Sequence, residues 1–345
     1  MLNETSGMKT VELIRCETGG ALYCLDARVV QGIQRTDHLR PNEANADATE
    51  PFGWVRDEQS DKQGEQQEDM PVFSLARRLG LAEQATSLSQ RVITLNSEGG
   101  RWGLLVERVL QVVRVPVNKV EPLPAVTGNG ARSFFTSVVQ LDESMMLLLA
   151  PQGLHPTANL IEPVASIDDV DDTHVVRDAE TRAAHPLRQT DEATASRTQS
   201  ANRILIFTLA DEVPGERRVA FGLSVSQVLE ILTPPPLTPV PEAPAYVRGL
   251  VHWRDTTVPV LDLAARFEMP TSDLSDESRL VICRSGETTA LVGFLINPAV
   301  RSLQLPVAHQ PCLRALPLNH SLAKCIIELE NETLVIPDLH RMLES

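Results

Sequence analysis

The nine residues PVFSLARRL at 71–79 return as PVLDLAARF at 259–267, with five positions identical and every apolar position still apolar. Pro71 and Pro259 are 188 apart. The same step separates RVITL at 91 from RLVIC at 279, and VVQLDESMMLLL at 138 from IIELENETLVIP at 326. Nearer the start of each repeat the step is 198, from LYCLDARVVQGI at 22 to AFGLSVSQVLEI at 220, so the first repeat carries ten more residues between these blocks. Such a chain is a tandem duplication of one domain of roughly 145 residues, far longer than the ~20–50-residue units of a solenoid. The expected division is copy one at 9–155, a linker at 156–201 and copy two at 202–345, each copy folding on its own core.

Each copy reads as all-β. RLVICRSGETTALVGFLI is two strands around a Ser-Gly-Glu turn, and CIIELENETLVIPDL is two more around Glu-Asn-Glu. ELIRCETGGALYCL pairs two strands across Gly19-Gly20, a dipeptide suited to hairpin turns that need positive φ. Helices are few and short: 73–81, the matching 261–268, and SQVLEIL at 226. About ten strands per copy exceed one small barrel, and two five-stranded barrels would fit, closed so that no strand edge is left open.

The net charge of −15 is concentrated in two stretches: residues 37–69 carry −7 and residues 156–200 carry −5. Both lack periodicity and are rich in Asp, Glu, Gln, Thr and Ala, the composition of solvated, mobile chain. The first reads as an acidic insert in copy one, the second as the flexible linker. The rest is near neutral and aromatics are 4%, which excludes the clustered Lys and Arg and the stacking rings of a nucleic-acid binder. The opening MLNETSGMKT is polar and MMLLLA at 145 is the longest apolar run, so neither a signal peptide nor a membrane span of roughly 20 residues is expected. Cys16, Cys24, Cys283, Cys312 and Cys325 are odd in number without CxxC spacing, and read as thiols in a reducing cytoplasm.

No catalytic constellation is legible. His38, His155, His174 and His185 lie in loop or linker sequence, His252 at an outward strand position, and His309, His320 and His340 lack partners at metal spacing. Asp168, Asp169, Asp171 and Asp172 lack the glycine turn and terminal Glu of a calcium loop. P-loop, GxGxxG and GxSxG motifs are missing. The expectation is no enzyme, no metal and no cofactor.

GLVHWRDTTVPVLDLAARF at 249 resembles the signature of the CheW family of bacterial chemotaxis coupling proteins, through Gly249, Arg254, Pro259, Val260, Asp262 and Leu263. FGLSVSQVLEIL at 221 is similar to the family's V-x-E-I stretch through Val228, Glu230 and Ile231, and GLLVERVLQVVRVP at 103 to its Val-Glu-x-Val pattern through Val106, Glu107 and Val109. The resemblance implies two tandem CheW-like domains, each of two small five-stranded SH3-like barrels. It implies a cytoplasmic scaffold at membrane-associated receptor arrays, without membrane insertion. Its partners would be the helical tips of chemoreceptors and the regulatory domain of a CheA-type histidine kinase. The contact residues it implies are Arg254, Glu230, Val228, Ile231, Trp253, Val106 and Glu107. For Arg254 the bland alternative is a turn arginine that only holds a local carboxylate. Asp255 stands where the family has Gly, and Gly32 stands where copy one should have Glu. Copy one also lacks the Arg turn. A structural or localisation adaptor that touches no receptor is the rival reading, favoured by divergence in both copies.

Overall fold

The computed structural model describes residues 9–42, 48–56, 69–83, 87–97, 100–142, 144–155, 203–209, 218–269, 278–286, 289–297, 300–304, 318–329 and 332–344. The expected linker therefore lies outside the described residues, as do Cys312, His174, His185 and His309.

Copy one begins with β1 (Thr10–Thr18), β2 (Ala21–Asp26), β3 (Val30–Arg35), β4 (Arg40–Pro41), β5 (Gly53–Arg56) and β6 (Asp69–Ser74). It continues with β7 (Arg91–Ser97), β8 (Gly100–Val106), β9 (Arg108–Pro116), β10 (Val120–Pro122), β11 (Phe135–Leu141) and β12 (Ser144–Leu149). Copy two has β13 (Arg203–Phe207), β14 (Arg218–Ser224), β15 (Val228–Leu232), β16 (Val247–Trp253) and β17 (Thr256–Leu261). It ends with β18 (Arg279–Arg284), β19 (Leu291–Ile296), β20 (Arg301–Gln304), β21 (Ala323–Glu328) and β22 (Glu332–Pro337).

These strands form two sheets per copy. The terminal sheets run β10-β11-β12-β2-β1-β9 and β20-β13-β14-β22-β21. The central sheets run β3-β7-β8-β6-β5-β4 and β15-β18-β19-β17-β16. In all four, the two end strands are consecutive in sequence. In copy one those strands are joined by only four residues (36–39) and three (117–119), and so short a connection can join opposite ends of a sheet only if the sheet curls on itself, the barrel closure expected; copy two repeats the strand order. The duplication extends to strand direction: β2 runs parallel to β12 as β14 does to β22, and β6 to β8 as β17 does to β19. Copy one's sheets have six strands where five were expected. The counterpart of β4 in copy two is reduced to one bridge, Thr238 to Leu250, and that of β10 falls outside the described residues.

The repeated nine residues occupy the same place twice. Val72 and Val260 are fully buried on β6 and β17, and Leu75 and Leu263 are fully buried in the helical turns that follow. Ser74 Oγ and Asp262 Oδ1 each accept from the backbone N–H three residues on, at 3.4 and 3.1 Å, capping those turns. Arg78 donates to the carbonyl of Gly153 at 3.3 Å and Arg266 to that of Arg341 at 3.3 Å. Each arginine thus fastens the last helical turn of its own copy, Pro151–Leu154 or Leu339–Met342.

Three expectations change. SQVLEIL is not a helix: Val228–Leu232 is β15, because pairing with β18 satisfies its backbone. Gly128–Phe134 is helical although two of its first three residues are glycines, whose cost in helices hid it. The stretch 37–69 is not simply an insert, since it supplies β4 and β5. What remains, 43–47 and 57–68, lies outside the described residues.

The copies are not separate beads. Leu250 of copy two is fully buried in the cluster built by Leu95, Trp102 and Phe135 of copy one. Val126 of copy one is buried in the cluster of Phe221, Phe267 and Phe294 of copy two. Burying such a side chain contributes about 1.5–3 kcal/mol, so each copy helps to complete the other's core.

Candidate functional site

Three of the seven sequence-derived contact residues meet. Glu230 lies on β15 and Trp253 and Arg254 at the end of β16, the two end strands of copy two's central sheet. A β-bulge between Val228 and Glu230 shifts the register against β18 and re-aims the carboxylate. Glu230 Oε2 accepts from Trp253 Nε1 at 3.0 Å and from the Arg254 guanidinium at 2.9 Å. The guanidinium also lies over the Trp253 ring, 4.6 Å from its centroid. The carboxylate therefore spans the seam of the barrel, where backbone pairing is missing.

The turn that carries Arg254 is a two-residue hairpin, with Trp253 opposite Thr256. Arg254 has φ 46° and Asp255 φ 62°. Positive φ at both central positions is the type I′ geometry that fits twisted hairpins. It costs an L-residue about 1–2 kcal/mol at each position, somewhat less for Asp. Two contacts to copy one hold the turn: Lys119 Nζ lies 2.9 Å from Asp255 Oδ1, and Thr257 N donates to Glu121 Oε2 at 2.9 Å. The Lys119 ammonium holds the Asp255 carboxyl below the usual carboxylate range. Below the turn, Gly249 has φ +145°, and a Cβ there would stand 2.7 Å from the Thr238 carbonyl oxygen.

Arg254 holds a local carboxylate, as the blander reading has it, and its side chain stays 68% exposed. Ile231 is exposed beside Glu230, and Val228 is half-buried against copy two's core. In copy one the picture differs. Val106 is 1% exposed, so it packs in the core and offers no contact surface. Glu107 Oε1 accepts from Gly19 N at 3.1 Å, securing the β1–β2 turn, where Gly19 and Gly20 have φ 60° and 74°. Val109 packs against the core. Sequence reading missed the exposed apolar residues Ile33, Leu110 and Val112. Ile33 and Ile231 are related by the same 198-residue step, and that pairing was the available signal.

A planar cation, an indole and a carboxylate on a stiff turn suit an acidic or aromatic patch on another protein. Among the described residues no three His, Cys, Asp or Glu side chains are placed to hold a metal ion. The cavity lined by Thr18, Phe52, Ser74, Gln90 and Glu107 has a volume of about 20 Å³, room for one water. Among the described residues no helix is long and apolar enough to cross a membrane.

Comparison with known proteins finds the CheW-like domain at residues 12–158 and again at 203–345. Among curated proteins, a probable chemotaxis protein CheW of Rhizobium etli is 30% identical over 105 residues, which cover 30% of this chain and 62% of that protein. The chemotaxis protein CheW of Rhizobium meliloti is 29% identical over 100 residues, 29% of this chain and 59% of that protein. The matches thus span less than two thirds of either relative. Among solved structures, the scaffolding protein TtCheW from Thermoanaerobacter tengcongensis aligns with a TM-score of 0.35 at 21% identity, over 41% of this chain and 90% of that one.

Proposed function

The chain belongs to the CheW-like domain family, and we propose that it is a non-catalytic scaffold of chemotaxis-type signalling, coupling chemoreceptor tips to a CheA-type histidine kinase. The observation that carries this reading is the family match in both halves of the chain, 12–158 and 203–345. The Glu230–Trp253–Arg254 cluster supports it as a contact surface for a partner: rigid, exposed and free of a reactive group. An amphipathic receptor helix and the regulatory domain of the kinase are the partners such a surface serves on the cytoplasmic side of the membrane.

A second reading, a structural or localisation adaptor that does not itself contact receptors, is favoured by the divergence of copy one. Copy one has Gly32 where copy two has Glu230, and residues 57–68 where copy two has its tight Arg turn. Titrating the intact chain separately with a receptor-tip hairpin and with a kinase regulatory domain divides the readings. Saturable binding to both supports coupling. Binding to the regulatory domain alone supports the adaptor, and binding to neither removes coupling.

A further inference from the structure

We propose that the contact between the two copies is a one-way docking interface that holds without the residues connecting them: the face of copy one around Lys119–Gly130 takes the hairpin end of a CheW-like module, here copy two, and neither outward face of the chain can repeat it.

Three kinds of complementarity meet on that face. Lys119 and Glu121 of copy one, of opposite charge, find an anion and a backbone donor on copy two, at Asp255 and Thr257 N, each at 2.9 Å. Val126 and Leu250 cross in opposite directions, each buried in the other copy's cluster. Gly128 and Gly130 admit the backbone of copy two: a Cβ at Gly130 would stand 2.8 Å from the Glu242 carbonyl oxygen, and one at Gly128 would stand 3.1 Å from Pro244 Cδ. Charge, apolar area and close approach at one junction describe an interface that does not need a tether.

The contact joins unlike surfaces, the terminal sheet side of copy one to the central sheet of copy two. Between modules of one fold, a head-to-tail contact repeats into rings or open chains unless an end is blocked. Both ends are blocked in this chain. The 188-residue step puts Leu318 at the place of Gly130, Leu316 at that of Gly128 and Val307 at that of Lys119. Leu318 packs against copy two's own core, where copy one leaves room for a neighbouring carbonyl. On the other side, copy one's hairpin pairs Arg56 with Asp69 where copy two's pairs His252 with Thr257, so in the sequence the twelve residues 57–68 stand in place of the four, Trp253–Thr256, that include Asp255.

The test uses the intact chain with a protease site placed between residues 156 and 200. After cutting, the halves should co-elute at 1:1 from a sizing column at micromolar concentration, and separation would overturn the docking claim. Gly130→Leu, copy two's own residue, should let the cut halves part while the uncut variant still melts cooperatively. Undiminished association would show that the face is wrongly placed. Lys119→Asp should weaken association several-fold and Lys119→Asp with Asp255→Lys should restore it, and a double variant no tighter than the single would remove the ion pair from the interface. The uncut wild type should stay monomeric as its concentration rises. Growth into larger species that Gly130→Leu abolishes would overturn the one-way claim.

Discussion

At the scale of single residues, backbone conformation divides the glycines. Gly249 combines φ +145° with a Cβ position 2.7 Å from a carbonyl oxygen, whereas Gly32 has nothing within 4 Å. Gly249→Ala should therefore cost about 2–3 kcal/mol through strain and displacement of Thr238. Gly32→Ala should stay within about 0.5 kcal/mol of wild type, as surface changes do. Denaturant melts of the two variants check this, and equal losses would contradict it. The thiols make a second case. Burial pushes Cys16 and Cys283 up to about 12, and Cys24 higher still. The thiolate is the reactive form, so none of the three should be alkylated at pH 8 in the folded chain, and all three should react once it is unfolded. Mass spectrometry after iodoacetamide reads this directly.

At the scale of elements, the seam between β15 and β16 depends on one carboxylate. Glu230→Ala removes acceptors from Trp253 and Arg254, and leaves a half-buried indole N–H unpaired. A loss of about 1–3 kcal/mol is expected, measured by thermal melting. Arg254→Ala should cost less, about 0.5 kcal/mol, because that side chain is 68% exposed and solvent screens its ion pair. Much of this was legible in sequence. The repeated PV block marked β6 and β17, and Gly19-Gly20 marked the first hairpin, because turn chemistry and burial are local. The resemblance implied Glu230, Trp253 and Arg254 each as a contact residue but not that they meet, since residues 23 apart do not announce a contact across a barrel seam. Val106 was misjudged as surface because its motif says nothing of which face of β8 it takes. SQVLEIL was misread because its apolar spacing fits both periods, and only the partner strand β18 decides.

At the scale of the whole molecule, two modules lean on each other, and the salt bridge at their junction makes that contact sensitive to pH. Lys119 lowers the pKa of Asp255 in the folded chain, so the pair stabilises fully above the ordinary carboxylate pKa. That contribution is lost as the pH falls through the lowered value. Lys119→Ala should flatten this acid limb of the melting profile, and an unchanged limb would place its origin elsewhere. Sequence reading gave the duplication but separated the copies, because Val126 and Leu250 look like ordinary core residues of their own repeats and nothing local reveals that they have crossed. With Gly32 and residues 57–68 in copy one, only copy two carries the Glu230–Trp253–Arg254 cluster on which the proposed recognition rests. The affinity of the intact chain for a CheA-type kinase regulatory domain, wild type against Arg254→Ala, tests that most directly. Saturable binding is expected, weakened by the substitution by about 1–3 kcal/mol while the melting temperature barely moves. Saturable binding that Arg254→Ala leaves unchanged, or no binding by the wild type, would contradict it.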